Sequence, residues 1–528
     1  VVKYSLMKKL SHTTRAVLLV TIALLLVTHA LWFYSAIGWD AVDDAYISYV
    51  YARNAILGHG LTFNPSERVE GFSNFLWTAM MVPIVGLNLD VGRLSSALGV
   101  AFGMGVLVLV IRFPRWLGVP AIVGWMAALF LAADGSFALW SVSGLETPLF
   151  AFLITLGAFF YIQENFQNPF SSRKRVLKIP TSGIIFALAA MTRPEAAAVF
   201  ALTVAHQGAW RILDQRKILT RQDFLRVISF ISLFVPYWLL RWRYYNSLLP
   251  NSFYAKVSIG GPIAQIMRGW EHVQQFVGVH WGWLILLPAV IALGIVVARY
   301  VGGKREMREI KRAFFGFTHF AALILFYGAY IVYVGGDWSV GRFFVPMLSF
   351  VYLMIAAGIV FVLQSAIRDP RSARYGSAIV GILLAGGLWL SSSYNGEYKI
   401  FIGGFDAARA TEARITAGRW LKQNVPAGTW IAVDAAGQVP YFSELPTIDM
   451  FGINDLHIGR MPVASLGSGT PGHEKFDLGY IIARAPKYVV IYGTLFDNVT
   501  EYKRANVKWT ENAELEKFLT IYERADSK

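Results

Sequence analysis

Asp43 and Asp44 stand side by side at the head of DDAYISYVYARN (residues 43–54), directly after the first long apolar run of the chain. One aspartate is enough to cap a helix. Two adjacent carboxylates repel, and beside a membrane they point to a general base or a cation site, with the helix cap as the structural alternative. A further acid, Glu146 in SGLETPLF (143–150), opens a later apolar run inside an otherwise apolar loop. It is read either as an acid at a helix N-terminus or as a second site carboxylate.

Cations accompany these acids. Arg241, Arg243, Tyr254 and Lys256 lie in RWRYYNSLLPNSFYAK (241–256), a basic cluster interleaved with aromatics. Such a cluster either snorkels at the membrane interface or holds a phosphate at that depth. Gly335-Gly336-Asp337-Trp338 with Arg342 presents one acid and one base on a flexible turn, as an internal ion pair or as site residues. Arg193 sits in TRPE (192–195), while Arg68 and Glu70 precede an apolar stretch at 74–87. His59, between Gly58 and Gly60, is weighted towards a structural role rather than that of a base.

These residues need a scaffold, and composition names it. Of 528 residues, 55% are hydrophobic and 15% charged, against about 25% charged in soluble domains. Apolar runs near spanning length recur at 16–37, 91–111, 119–133, 148–162, 179–191, 196–210, 224–240, 281–298, 314–334, 343–363 and 376–390. The fold class is therefore an α-helical polytopic membrane protein with about 11 transmembrane helices. With the N-terminus in the cytoplasm, the inner loops carry 23 Lys and Arg and the longer outer loops 8. The positive-inside rule supports that orientation. The net charge of +15 belongs to those loops and argues against a nucleic-acid partner. The stretch 74–87 is kept out of the count as a re-entrant or interfacial helix, because a span there would invert every later loop. Residues 43–54 read as an outer-face juxtamembrane helix, with Tyr46, Val50 and Tyr51 sharing a face with Arg53 near its edge.

Polarity rises after residue 390, dividing the chain into a transmembrane domain (1–390) and an extracytoplasmic soluble α/β domain (391–528). In the latter, 407–423 reads as an amphipathic helix, and 429–434 and 487–492 as buried strands. The chain has no cysteine, which excludes disulfides, thiol catalysis and Cys-ligated metal. Walker A, HExxH and GxSxG patterns are absent, and the spans read as lacking the ionisable residues of a proton relay.

The blocks DDAYISYVYARN, GHGLTFNPSERVEGFSNFLW, SGLETPLF, TRPE, YYNSLLPNSFYAK, GGDWSVGRFFVP and Gly472-His473-Glu474-Lys475 together resemble the GT-C glycosyltransferases. More narrowly, they resemble the actinobacterial terminal arabinofuranosyltransferases and their wider bacterial relatives. The resemblance implies an inverting transfer from a polyprenyl-phosphate sugar, arabinofuranose in those members, to a cell-envelope glycan or lipid acceptor outside the bacterial inner membrane. It implies Asp43, with Asp44, as the general base and Glu146 as a binder of sugar hydroxyls or a cation. Lys256, Arg342, Arg68 or Arg193 would then meet the charge of the leaving phosphate. Glu70, His59, Tyr254, Asp337 and His473 complete the expected substrate-binding set. No cofactor is assigned; a divalent cation stays open, since a phosphate held by Arg and Lys has its charge met without one. The competing readings are a lipid or glycan transporter and a non-catalytic envelope assembly factor. Asp43, Glu146, Lys256 and Arg342 are expected to converge on the outer side.

Overall fold

The computed structural model describes residues 11–166, 180–215, 219–257, 263–303, 307–403, 406–463, 466–505 and 518–525. Among the described residues, sixteen α-helices precede the C-terminal domain. They are α1 His12–Ala36, α2 Asp43–Ile56, α3 Phe75–Gly86, α4 Val91–Leu117, α5 Ile122–Ala133, α6 Gly135–Val142, α7 Thr147–Phe166 and α8 Thr181–Thr192. Then follow α9 Ala196–Trp210, α10 Arg221–Tyr245, α11 Asn251–Lys256, α12 Ile263–Val279, α13 Leu287–Val301, α14 Arg308–Val334, α15 Val345–Ala366 and α16 Pro370–Leu388.

Each of the eleven expected spans falls on helix, but not each helix is a full crossing. Among the described residues, 8 helices are long and apolar enough to span, or 9 with the α5–α6 pair counted as one, bent by 64°. The bend sits at Asp134. Its carboxylate caps α6 through the Phe137 N–H at 2.8 Å and accepts the Tyr352 hydroxyl at 2.6 Å. His280 lies 2.8 Å away on the same carboxylate, so the broken backbone is buried with partners. α8 and α9 have 12 and 15 residues, and they break at Arg193, which is extended as a residue before proline should be. α3 has 12 residues and rises about 18 Å, short of a hydrocarbon core of about 30 Å. α15 is buried on nearly every side and forms the axis of the bundle, as its unbroken apolar sequence requires.

The spans are not free of ionisable groups, which corrects the sequence reading. His206 contacts the Tyr161 hydroxyl at 2.8 Å and Thr318 at 3.0 Å, and His319 contacts Thr203 at 3.1 Å. Arg226 pairs with Glu164 at 3.2 Å and Asp223 at 3.4 Å. These groups face the interior of α7, α9, α10 and α14, where charged side chains of a bundle belong. Arg226, Glu164 and Asp223 pair with one another, whereas the two histidines contact hydroxyls.

α16 runs on as a wider, π-helical turn series, Trp389–Ile402, into the C-terminal domain. There the helix Ala407–Asn424 precedes five strands: β1 Ile431–Val433, β2 Thr447–Asp449, β3 Tyr488–Ile491, β4 Tyr502–Arg504 and β5 Thr520–Arg524. The sheet order is β2-β1-β3-β5-β4, with β1 parallel to β2 and β3 and β5 antiparallel to its neighbours. The expected helix and both expected strands are present. Alternate residues serve different faces: Ala432 packs towards Ile458 and Ile481, whereas Ile431 and Val433 pack with Ala413 and Leu421. Ile47, Val50 and Tyr51 of α2 belong to that second core. α2 is thus roofed by the domain rather than lying free on a membrane surface, and this is why it is apolar on more than one face.

Candidate active site at the junction of bundle and domain

The N-terminus of α2 carries no side-chain cap, so Asp43 is not there to cap its own helix. Its carboxylate accepts the backbone N–H of Gln438 at 2.8 Å and of Gly437 at 3.2 Å, and Arg414 Nε lies at 3.9 Å. Burial pushes the Asp43 carboxyl above its ordinary range; Arg414 and the Gln438 N–H oppose this, while Asp44 and Asp434 reinforce it. Gly437 has to be glycine, since a Cβ there would overlap the Asp43 carbonyl.

Asp44 points another way. It lies 3.4 Å from Arg342, with 30% of its side chain exposed against 14% for Asp43. Arg342 also approaches Glu146 at 3.6 Å and Asp337 at 4.0 Å, and its guanidinium lies over the Trp140 ring at 5.7 Å. Glu146 accepts the Asn74 amide at 2.8 Å and pairs with Arg193 at 3.2 Å. Burial alone would raise the Glu146 carboxyl, but Arg342 and Arg193 outweigh it and hold the group below its ordinary range. Arg193 is itself held by Glu195 at 2.7 Å and stacked on Phe343 at 4.9 Å. Asp337 accepts Ser339 Oγ at 2.9 Å. The loops following α6, α8 and α14 therefore meet the start of α2 at one end of the bundle.

The C-terminal domain adds residues that the sequence reading did not single out. Asp434 follows β1 and accepts the Tyr492 N–H, at the end of β3, at 2.6 Å. Burial raises its carboxyl against that N–H and the nearby Arg414. The C-terminal edge of the parallel strands, where ligands gather in α/β sheets, is turned towards Asp43. Arg414, from the helix Ala407–Asn424, closes the same corner. An Asp directly after a buried strand was the available signal for Asp434; Gln438 acts through its backbone and left none.

Other expected site residues stand apart. His59 is exposed beyond the far end of α2, a helix of 14 residues and so about 21 Å long. Arg68 is exposed over the Tyr244 ring at 5.0 Å. Glu70 is buried in a two-pronged pair with Arg241, one arm at 2.8 Å, and burial still raises its carboxyl to about 7. Tyr254 lies under Arg460 at 5.1 Å. Lys256 packs on Gly472, next to His473, which lies on the Asp434 side of the site. His473 stacks edge-on to Phe451 at 4.7 Å. Of the four residues expected to converge, Glu146 and Arg342 do so, joined by Asp44; Asp43 adjoins Asp44 in the chain but turns to Gly437 and Gln438, and Lys256 lies at the 472–473 turn. Among the described residues no group of three or more His, Asp or Glu is placed to hold a metal ion.

This multi-span helical bundle, with a small sheet domain packed over α2, is a fold shared with other solved structures. The solved structures that share it include ArnT from Cupriavidus metallidurans bound to undecaprenyl phosphate, 12% identical with a TM-score of 0.60 over 98% of this chain and 99% of that one. The Archaeoglobus fulgidus oligosaccharyltransferase in its apo form is 11% identical, TM-score 0.58, over 90% of this chain and 69% of that one. The archaeal oligosaccharyltransferase AglB from the same organism, with an inhibitory peptide and a dolichol-phosphate, is 12% identical, TM-score 0.50, over 88% and 69%. Residues 405–526 match a family described as a domain of unknown function, DUF8728. No curated protein matches the chain in sequence.

Proposed function

We propose that the chain is an inverting glycosyltransferase that moves a sugar from a polyprenyl phosphate to a glycan or lipid acceptor at the outer face of a bacterial plasma membrane. One observation carries the reading: the buried Arg342 guanidinium meets Asp44, the neighbour of Asp43, and also Glu146, which holds the second buried guanidinium of Arg193. That is a cation pair for a phosphate next to a base for a hydroxyl. The fold is shared with ArnT bound to undecaprenyl phosphate and with an oligosaccharyltransferase holding dolichol-phosphate, which supports a lipid-phosphate ligand here.

Asp43 serves as the base. Its raised carboxyl is a stronger proton acceptor than an exposed aspartate, and one N–H on each oxygen leaves a lone pair on each. The acceptor O–H gives its proton to Asp43, and its oxygen attacks the anomeric carbon. The bond from that carbon to the phosphate oxygen breaks with its electron pair, and the configuration inverts. Asp44 is the most exposed of the three acids on Arg342, so the leaving phosphate takes Asp44's place there. Glu146 keeps both guanidiniums aimed there. Arabinofuranose is the proposed sugar, on the strength of the motif blocks from DDAYISYVYARN to GHEK.

The test is transfer by the purified full-length protein from a panel of polyprenyl-phosphate sugars, decaprenyl-phosphate arabinofuranose among them, with Asp43→Asn alongside. Turnover of one donor by the wild type and none by the variant is expected. Full activity in Asp43→Asn would remove the base, and wild-type protein that neither binds undecaprenyl phosphate nor consumes any donor would remove the function.

A further inference from the structure

Behind the Arg342 turn lies a carboxylate that the proposed transfer does not use. Glu397, in the Trp389–Ile402 segment between bundle and domain, is 1% exposed. Ser136 Oγ donates to its Oε1 at 2.8 Å, and Trp140 also interacts with the carboxylate. Both partners belong to α6, and both touch the Arg342 turn. A Cβ on Gly341, the residue before Arg342, would overlap Ser136 Oγ and Glu397 Oε1. The Trp140 ring is the surface over which the Arg342 guanidinium lies. Ser136 is itself fixed, because its neighbour Gly135 donates its N–H to Ser392 Oγ at 3.0 Å, on the same segment as Glu397.

A buried acid has to be satisfied by neighbours or it is expensive. Here the neighbours it uses are the floor and the hinge of the turn that aims Arg342. We propose that Glu397 is a positioning residue: through Ser136 and Trp140 it sets the Arg342 guanidinium at the distance from Asp44 and Glu146 that a lipid phosphate requires. The proposal rests on the lipid-phosphate reading above and extends it to the linker. Because the same segment leads into the helix bearing Arg414, the linker fixes a cation on each side of the acid pair.

The test is undecaprenyl phosphate binding to full-length protein in nanodiscs, for wild type, Glu397→Ala, Glu397→Gln, Arg342→Gln and the Glu397→Ala/Arg342→Gln double variant. Glu397→Ala is expected to weaken binding about tenfold, the scale of one lost charge-assisted contact. Glu397→Gln, whose amide oxygen still accepts from Ser136, is expected to recover most of that loss. On the Arg342→Gln background, Glu397→Ala should add nothing, since the residue acts through Arg342. Ser136→Ala gives a milder second probe, with the same silence on that background, where Glu397→Ala yields no folded protein. Additive losses in the double variant, or unchanged binding by folded Glu397→Ala, overturn the proposal while leaving the lipid-phosphate reading standing. Wild-type protein that does not bind undecaprenyl phosphate overturns that reading first and the positioning role with it.

Discussion

The Asp43 carboxylate accepts the backbone N–H of Gln438 at 2.8 Å, across 395 positions of sequence. An acid from the head of α2 is thus seated by the last third of the chain, and the candidate base belongs to the bundle and to the C-terminal domain together.

Asp43→Asn separates chemistry from stability. Folding raises the Asp43 carboxyl above its ordinary 3.8. Its contribution to stability is therefore present below that value and lost as pH rises through the folded one, leaving the buried charge as a cost at neutral pH. Asparagine keeps an oxygen for the Gln438 N–H and removes the charge. Transfer is expected to vanish while the thermal midpoint at pH 7 holds or rises. In the wild type, the rate should climb with pH above the usual aspartate range. A midpoint that falls at pH 7 would show that the Gln438 contact needs the full charge.

Glu146→Gln should act in the opposite sense. The folded Glu146 carboxyl lies below its ordinary 4.5, so its contribution is present above that value and disappears as pH falls through the lowered one. Removing the charge leaves Arg193 and Arg342 facing each other inside the protein, a loss of about 3–5 kcal/mol for a broken buried pair. Denaturation at pH 7 would register the drop, and a stability equal to wild type would mean that Glu195, Asp44 and Asp337 suffice as counter-ions.

Arg241 answers for the clustered cations of residues 241–256. Its fork holds buried Glu70 by two contacts, so Arg241→Lys, with no planar fork, is expected to destabilise nearly as much as Arg241→Met. Donor KM in whatever protein remains folded should be unchanged. A raised KM with normal stability would return Arg241 to the phosphate site.

Ending the chain at Ile402 tests whether the domain is an accessory. Ile47, Val50 and Tyr51 of α2 are buried against it, and truncation bares them together with the unpaired Asp43. The expected product is aggregated or inactive. An active, monodisperse bundle would show that Arg414 and Asp434 are dispensable.

The bundle was legible because lipid imposes apolar runs and basic loops that survive as composition. Asp43, Asp44, Glu146, Arg193 and Arg342 were legible because charged residues are conspicuous at the ends of such runs. Contacts made through backbone were not: Gly437 and Gln438 serve Asp43 by their N–H groups, which no side chain announces. Arg241 and Arg342 look alike in sequence, yet one is spent on Glu70 and the other faces Asp44. His206 and His319 escaped notice because single polar residues in long apolar helices reveal no partner until the helices are packed. The roof over α2 was hidden for a related reason, since an apolar face reads the same whether lipid or a sheet covers it.

The long reach from Asp43 to Gln438 also has a meaning in time. At a synthesis rate of about 5–20 residues per second, the acid pair is in place roughly 20–80 s before the backbone that seats it has been made. Throughout that interval the acids exist without the backbone that seats them. On the proposed mechanism, synthesis of the C-terminal domain is itself the switch: a chain stalled before it carries the acids but not their seat, and is expected to leave lipid-linked sugars untouched.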